Sequence, residues 1–277
     1  MRNLRRMASE IRRDVIDQSK RANIGHIGSC LSIADVMAAL YGDVLRIPAL
    51  TDPERDRFIL SKGHAALALY AALCEAGWLP RERLDEYCAN GSLLSGHPDH
   101  LLGGVEFATG SLGHGLSLGA GSALASRLSG VGHRVFVRMS DAECNEGSVW
   151  EAVMFAAHHR LSNLVVIIDD NGQQALGRPR DVIDLSPLAD RWRAFGWDAQ
   201  VVDGHDPDGL AATLSGLDVV DGPPHVVVAE TVFGKGVSYM EGEIHWHYWA
   251  MSDDDYVRAL SELEVGESMA AAPEAVK

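Results

Sequence analysis

Residues 134–232 alternate strand-like apolar runs with helix-like stretches, and no other property of the chain restricts its fold as much. The runs are RVFVRM at 134–139, LVVIID at 164–169, DAQVVD at 198–203 and HVVVAETV at 225–232. Between them, 147–160, 187–195 and 207–216 read as helices. Strands alternating with helices build βαβ units, whose right-handed crossovers return the chain parallel to itself. The runs are continuous rather than alternating, as in strands covered by helices on both faces. The expected class is therefore α/β with a mostly parallel sheet. Upstream, 4–22 reads as a helix, and so does 31–41, where Leu31, Ala34, Met37, Ala38 and Leu40 recur at helical spacing. A strand over Phe58–Ser61 and a turn at Lys62-Gly63-His64 precede an Ala/Leu helix ending near Gly77. A long loop follows, and a small-residue helix is expected at about 114–128.

In an open parallel sheet, ligands bind beyond the carboxyl ends of the strands. Five polar, glycine-bearing segments should share that rim: Lys62-Gly63-His64, Ser140-Asp141-Ala142-Glu143, Asp169-Asp170-Asn171-Gly172, Asp203-Gly204-His205-Asp206 and Phe233-Gly234-Lys235-Gly236. Asp141 and Asn171 lie one βαβ crossover apart, so their side chains should leave neighbouring strands at one height. A carboxylate, an amide oxygen and a nearby main-chain carbonyl form an all-oxygen set suited to Mg²⁺ or Ca²⁺, with room for phosphate oxygens. Strand-end Asp and Asn also serve merely as turn and cap residues. Glycines at 110, 113 and 115 before a helix suit a close anion approach at its N-terminus, although the spacing is neither a P-loop nor G-x-G-x-x-G. The same glycines also suit plain packing. Of twelve histidines, His26, His64, His97, His114 and His247 fall in loops or helix starts, which points to an aqueous pocket that binds hydroxyls and moves protons. No Cys/His set has zinc spacing.

The formal net charge of −15 argues against nucleic acid as a partner. The basic cluster Arg2, Arg5, Arg6, Arg12, Arg13, Lys20 and Arg21 reads as a solvated helix face. The first thirty residues hold no apolar signal-peptide core, and no apolar run approaches a membrane span. Cys30, Cys74, Cys88 and Cys144 are scattered, so a reduced, cytoplasmic protein is expected.

These pieces come together in longer motifs: GHIGSCLSIADVMAALY, DRFILSKGHAALALYAALCEAGW, SGHPD, GVEFATGSLGHGLSLGAG, SDAECNEGSVWEAVMFAAHHRLSNLVVIIDDNG, VVDGHD and GKGVSYMEGEIHWH. In their order and spacing the chain resembles the N-terminal half of transketolase, in the small-subunit form found where that enzyme is split into two chains. The likeness covers about residues 10–255. It implies the thiamine diphosphate-binding fold, with a diphosphate-binding domain and N-terminal helical segment over 1–265 and a flexible tail over 266–277. It implies thiamine diphosphate and a divalent cation, Mg²⁺ or Ca²⁺, as cofactors. Asp141 and Asn171 would bind the metal, with the carbonyl of Gln173 as third protein ligand. His64 and the turn Gly110-Ser111-Leu112-Gly113-His114 would meet the diphosphate, with Ala142 and Glu143 shaping the adjoining loop. Glu146 matches a glutamate at the subunit interface near the cofactor. His26, His97 and His247, with His64, match histidines that contact sugars or move protons.

The resemblance also implies a second subunit carrying the pyrimidine-binding and C-terminal domains, in an α₂β₂ assembly, because a glutamate outside this half activates the aminopyrimidine ring. The activity implied is transfer of a two-carbon ketol unit between sugar or sugar phosphate substrates. The alternatives within thiamine diphosphate enzymes are a specialised acyloin-type carboligase subunit and a 2-oxo acid dehydrogenase-like subunit. A non-catalytic, partner-binding subunit is the alternative of another class, because the family's Gly-Asp-Gly is here Ser140-Asp141-Ala142. If either glycine needed φ > 0, side chains there would strain the turn.

Overall fold

The computed structural model describes residues 2–271. Five strands, β1 (Arg57–Leu60), β2 (Val135–Ser140), β3 (Leu164–Asp170), β4 (Asp198–Asp203) and β5 (His225–Glu230), form one sheet in the order β1-β2-β3-β5-β4, and every pairing is parallel. The helices are α1 (Leu4–Ala22), α2 (Ile27–Leu31), α3 (Ala34–Ala39), α4 (Ala66–Ala76), α5 (His114–Ser129), α6 (Gly147–His158), α7 (Pro179–Val182), α8 (Leu188–Ala194), α9 (Pro207–Ser215) and α10 (Asp253–Ala271).

Successive strand residues point to opposite faces, and two apolar cores result. Phe58, Leu60, Phe136, Val165, Ile167 and Val227 pack with α1, α3, α4 and α9. Ile59, Val135, Val137, Leu164, Val166 and Val226 pack with α5, α6 and α8. The sheet is thus sandwiched between two helical layers, as the continuous apolar runs require.

The segment expected as one helix over 31–41 is instead α2, α3 and a π-helical turn over Leu40–Val44. Ser32, between α2 and α3, donates its hydroxyl to Ser29 O and to Asp169 on the sheet rim, which draws the backbone out of a continuous helix. The basic cluster on α1 is a bracket rather than a solvated face. Arg12 pairs with buried Asp35, Arg5 with Asp206 at 2.7 Å, Arg13 with Glu264 at 3.3 Å and Lys20 with Asp253 at 2.7 Å. These pairs tie α1 to α3, to the rim beside α9 and to α10. The exposed ones each contribute only about 0–1 kcal/mol. The stretch expected as a tail, 266–277, begins within α10, and 272–277 lie outside the described residues. Among the described residues, no helix is long and apolar enough to cross a membrane.

Two glycines of α5 separate packing from propensity. A Cβ on Gly119 would lie 2.4 Å from Val137 on β2, whereas one on Gly121 meets nothing within 4 Å. Gly119→Ala should therefore destabilise the chain by about 1–3 kcal/mol through overpacking. Gly121→Ala should stabilise it by about 0.5–1 kcal/mol through helix propensity. Urea denaturation measures both, and equal effects would show that α5 does not press on β2 as described.

Candidate functional site

Parallel pairing of β2 with β3 sets Ser140 opposite Asp169, and Asp141 N donates to Asp169 O at 3.0 Å. The next residues of both strands therefore emerge together on the rim. Asp141 accepts from Ala142 N at 2.7 Å and, through its other oxygen, from Gly172 N at 3.1 Å. Asn171 donates its Nδ2 to Asp169 at 2.7 Å, and its Oδ1 accepts from Gln173 N at 3.0 Å. Gln173 in turn anchors to Gly242 O at 2.7 Å.

Three buried carboxylates stand at this rim, and their surroundings differ. Asp169 pairs with Lys62 and with Arg138, the latter at 2.9 Å. Burial opposes its charge, but those two cations hold its carboxyl far below the usual range. Asp141 is 7% exposed and has no Lys or Arg within ion-pair distance among the described residues. Burial, then the charge of Asp169, pushes it up to about 7. Glu143 is raised by burial and accepts from Ser61 Oγ, from Gly113 N at 2.7 Å and from Ser140 N at 3.3 Å. It thereby clamps the turn that enters α5. Gly113 has φ +85°, and a Cβ there would lie 2.5 Å from Ser148 Oγ and 2.7 Å from Glu146 Cβ.

The entry to α5 differs from a free anion cradle. Gly113 N is taken by Glu143, His114 N by Ser111 O at 3.4 Å and Gly115 N by Ser61 Oγ at 3.1 Å. These three amides are satisfied internally, so the turn offers an anion the helix-terminal field and close approach rather than those donors. His114 and Glu146 are exposed, Glu146 as the residue preceding α6.

Four histidines converge beside this rim. The ring of His26 lies 5.4 Å from His64, 6.3 Å from His97 and 5.3 Å from His247, and His64 lies 5.3 Å from His247. His26 takes the left-handed backbone, φ +63°, and donates its N–H to His247 O at 3.1 Å. Phe233 stacks on His247 at 6.0 Å. Gly28 leaves the space that ring needs, since a Cβ there would lie 2.1 Å from it. Burial lowers all four histidines from their usual values, and the Lys62 ammonium adds to this for His26, His64 and His247. The cluster is therefore a set of neutral imidazoles at pH 7. His114 stands outside it.

Residues of two other rim segments serve the scaffold. His205 bonds Asp35 at 2.8 Å and accepts Val232 N at 2.8 Å, while Gly236 packs against Arg12 and Leu263. A cavity of about 560 Å³ is lined by Asp141, by Arg178 and by Arg180 of α7, with Val201 and Val228 in its wall. Sequence reasoning placed Lys62 and Asp169 on the rim but missed their pairing, and it missed Arg138 altogether. Their signal was a charge set at the end of an apolar run, in FILSK, VFVRM and VVIIDD, because a charge there must find a partner.

Ser140 and Ala142 are not among the residues with positive φ, and Asp141 between them is at φ −57°. The turn is an ordinary 3₁₀ turn in which Ser140 Oγ accepts Glu143 N at 3.1 Å. The loss of both glycines therefore brings no backbone strain, which removes the ground for a non-catalytic subunit.

The family model described as "Transketolase, thiamine diphosphate binding domain" matches residues 4–269. The chain is 40% identical to an apulose-4-phosphate transketolase subunit of Phocaeicola vulgatus, over 91% of this chain and 90% of that one. It is 37% identical to 6-deoxy-6-sulfo-D-fructose transketolase subunit SqwG of a Clostridium species, over 95% and 96%. Among solved structures, Pichia stipitis transketolase in complex with sedoheptulose 7-phosphate superposes with a TM-score of 0.87 at 29% identity, covering 94% of this chain and 40% of that one. Campylobacter jejuni transketolase gives 0.86 at 27% identity, covering 94% and 42%. The chain thus spans about two fifths of the solved transketolases and nearly all of the two shorter relatives.

The histidine cluster makes stability depend on pH with a defined sign. His26 is lowered to about 4 by burial, then by His247, His97 and Lys62, whereas an unfolded histidine titrates near ~6.5. Between those values the unfolded chain binds the proton and the folded chain does not, so acidification from pH 6.5 to 4 removes stability. His26→Asn keeps the left-handed backbone accessible and removes the titration. Its unfolding free energy should fall less steeply over that window, by up to about one proton in slope. Parallel slopes in urea titrations at several pH values would show that His26 is already charged.

Proposed function

The chain belongs to the transketolase family, and from that premise we propose that it is the diphosphate-binding subunit of a two-chain transketolase, which transfers a two-carbon ketol unit between sugar or sugar phosphate substrates with thiamine diphosphate and a divalent cation. One observation carries this reading. Of two neighbouring buried acids, Asp169 is neutralised by Lys62 and Arg138, while Asp141 has no Lys or Arg within ion-pair distance among the described residues and accepts the N–H of Gly172, the residue after Asn171. A buried, unpaired carboxylate next to oxygen donors fits a hard cation.

Asp141, Asn171 and the carbonyl of Gln173 would hold Mg²⁺ or Ca²⁺. His64 and the turn Gly110-Ser111-Leu112-Gly113-His114 would face the diphosphate, and Ala142 and Glu143 would back it. Thiamine diphosphate supplies the nucleophilic carbon and the electron sink when bound. The chain's own part is orientation and proton traffic. A neutral imidazole carries one donor and one acceptor nitrogen, so His26, His64, His97 and His247 can bridge sugar hydroxyls and pass a proton between them. Phe233 keeps the ring of His247 facing that pocket.

Both curated relatives cited above are themselves named as subunits. A partner chain would bring the pyrimidine-binding and C-terminal domains, with Glu146 at the contact, in an α₂β₂ assembly. We take the enzyme to be cytoplasmic, a reading supported by four free cysteines.

Calorimetric titration of thiamine diphosphate with Mg²⁺ into the chain and its partner should give binding that Asp141→Ala abolishes. Binding unchanged by Asp141→Ala would overturn the site assignment. The chain purified alone should show no ketol transfer, and full turnover without a second polypeptide would overturn the two-chain reading.

A further inference from the structure

Asn171 can present either end of its amide to a cation, and only the oxygen is a ligand. Its surroundings decide between them. The carboxylate of Asp169 lies 2.7 Å from one end, and the N–H of Gln173 lies 3.0 Å from the other. Asp169 is saturated with donors: Lys62 Nζ and Ser32 Oγ, at 2.8 Å for the latter, reach Oδ2, while Arg138 Nη2 at 2.9 Å and Thr231 Oγ1 at 2.7 Å reach Oδ1. A carboxylate paired with both Lys62 and Arg138 has acceptor atoms only, so the amide end facing it must be the NH₂ group. Reversing the amide would set oxygen against a carboxylate and NH₂ against the N–H of Gln173, two like contacts in a site where Asn171 is 9% exposed.

We propose that Asp169 is the positioning residue of the cation site, and that its hydrogen bond to Asn171 Nδ2 holds the amide with Oδ1 toward the cation. Lys62 and Arg138 act behind it by keeping the carboxylate in place. The residue sits two positions before a ligand, on the same strand end, and its side-chain hydrogen bond to the proposed ligand set is the one to Asn171. The inference rests on the cation reading given above.

Mn²⁺ titration followed by electron paramagnetic resonance, on the chain with its partner and thiamine diphosphate, reads the site without activity. Asp169→Asn lets position 169 offer either group, and Mn²⁺ affinity should fall about 10- to 100-fold, the range for loss of a residue that orients a metal ligand. Turnover should recover at saturating Mn²⁺ with the ketose KM unchanged. The double variant Lys62→Met/Asp169→Asn leaves no unpaired ammonium and should show the same loss, so a folding defect in the single variant does not decide the matter. Asp56→Asn is the matched control, because Asp56 is equally buried and pairs with Arg134 at the opposite end of β1 and β2. It should lose comparable stability and keep Mn²⁺ affinity within about twofold of the unsubstituted chain. Unsubstituted affinity in the double variant, or an equal loss in Asp56→Asn, would overturn the proposal. Absence of Mn²⁺ binding by the unsubstituted chain would overturn the cation reading itself, and this proposal with it.

Discussion

The triad of Lys62, Asp169 and Arg138 is the constraint on which the rim depends. All three side chains are within 1% of full burial, and they come from the exit of β1, from β3 and from β2. Ser32, following α2, and Thr231, following β5, complete the shell of Asp169. Four segments distant in sequence are thus locked to one carboxylate on β3. Buried ion pairs contribute little net stability relative to an apolar core, but removing one partner strands a charge and costs about 3–5 kcal/mol. Such a triad enforces geometry more than it adds stability. It also leaves one excess positive charge behind the histidine pocket, which helps keep His26, His64 and His247 neutral.

Around that lock, three acids of similar burial divide the work. Asp169 is neutralised internally. Glu143 is spent on Ser61, Gly113 and Ser140, which ties the exits of β1 and β2 to the entry of α5. Asp141 accepts only the N–H groups of Ala142 and Gly172 among the described residues, with no Lys, Arg or hydroxyl on its carboxylate. Ser140 strengthens the arrangement, since its hydroxyl accepts the N–H of Glu143. A glycine at that position could not do so.

The pocket is assembled but one-sided. The four histidines, Phe233, Asp141 and Asn171 all lie on this chain, and the backbones around the histidines are interlocked through His26 N with His247 O and Gly234 N with Gly28 O. The alternatives of carboligase and dehydrogenase-like subunit would use the same rim, but the two relatives cited above, which match nearly the full chain, are named transketolase subunits. What a transketolase needs beyond this half lies on other domains, consistent with the two-fifths coverage of the solved enzymes.

Much of this was legible in the residues. Period and apolar continuity located every strand to within two residues, because burial on both faces leaves few other compositions. The position of Asp141 and Asn171 after neighbouring strands followed from the handedness of one crossover. The motifs named the family, and with it the histidines. The break between α2 and α3 was not legible, because it answers to a hydroxyl–carboxylate bond between Ser32 and Asp169, 137 residues away. Nor was the bracket of α1, whose acids lie in three other segments. By itself the sequence determined the layer architecture and which polar residues stand on the rim, since those depend on local period and residue type. Only the tertiary structure decided which acid is neutralised, which amides are already spent and which way Asn171 faces. Those outcomes depend on distances between segments far apart in the chain, and a buried charge or amide takes its state from whatever side chain the fold sets against it.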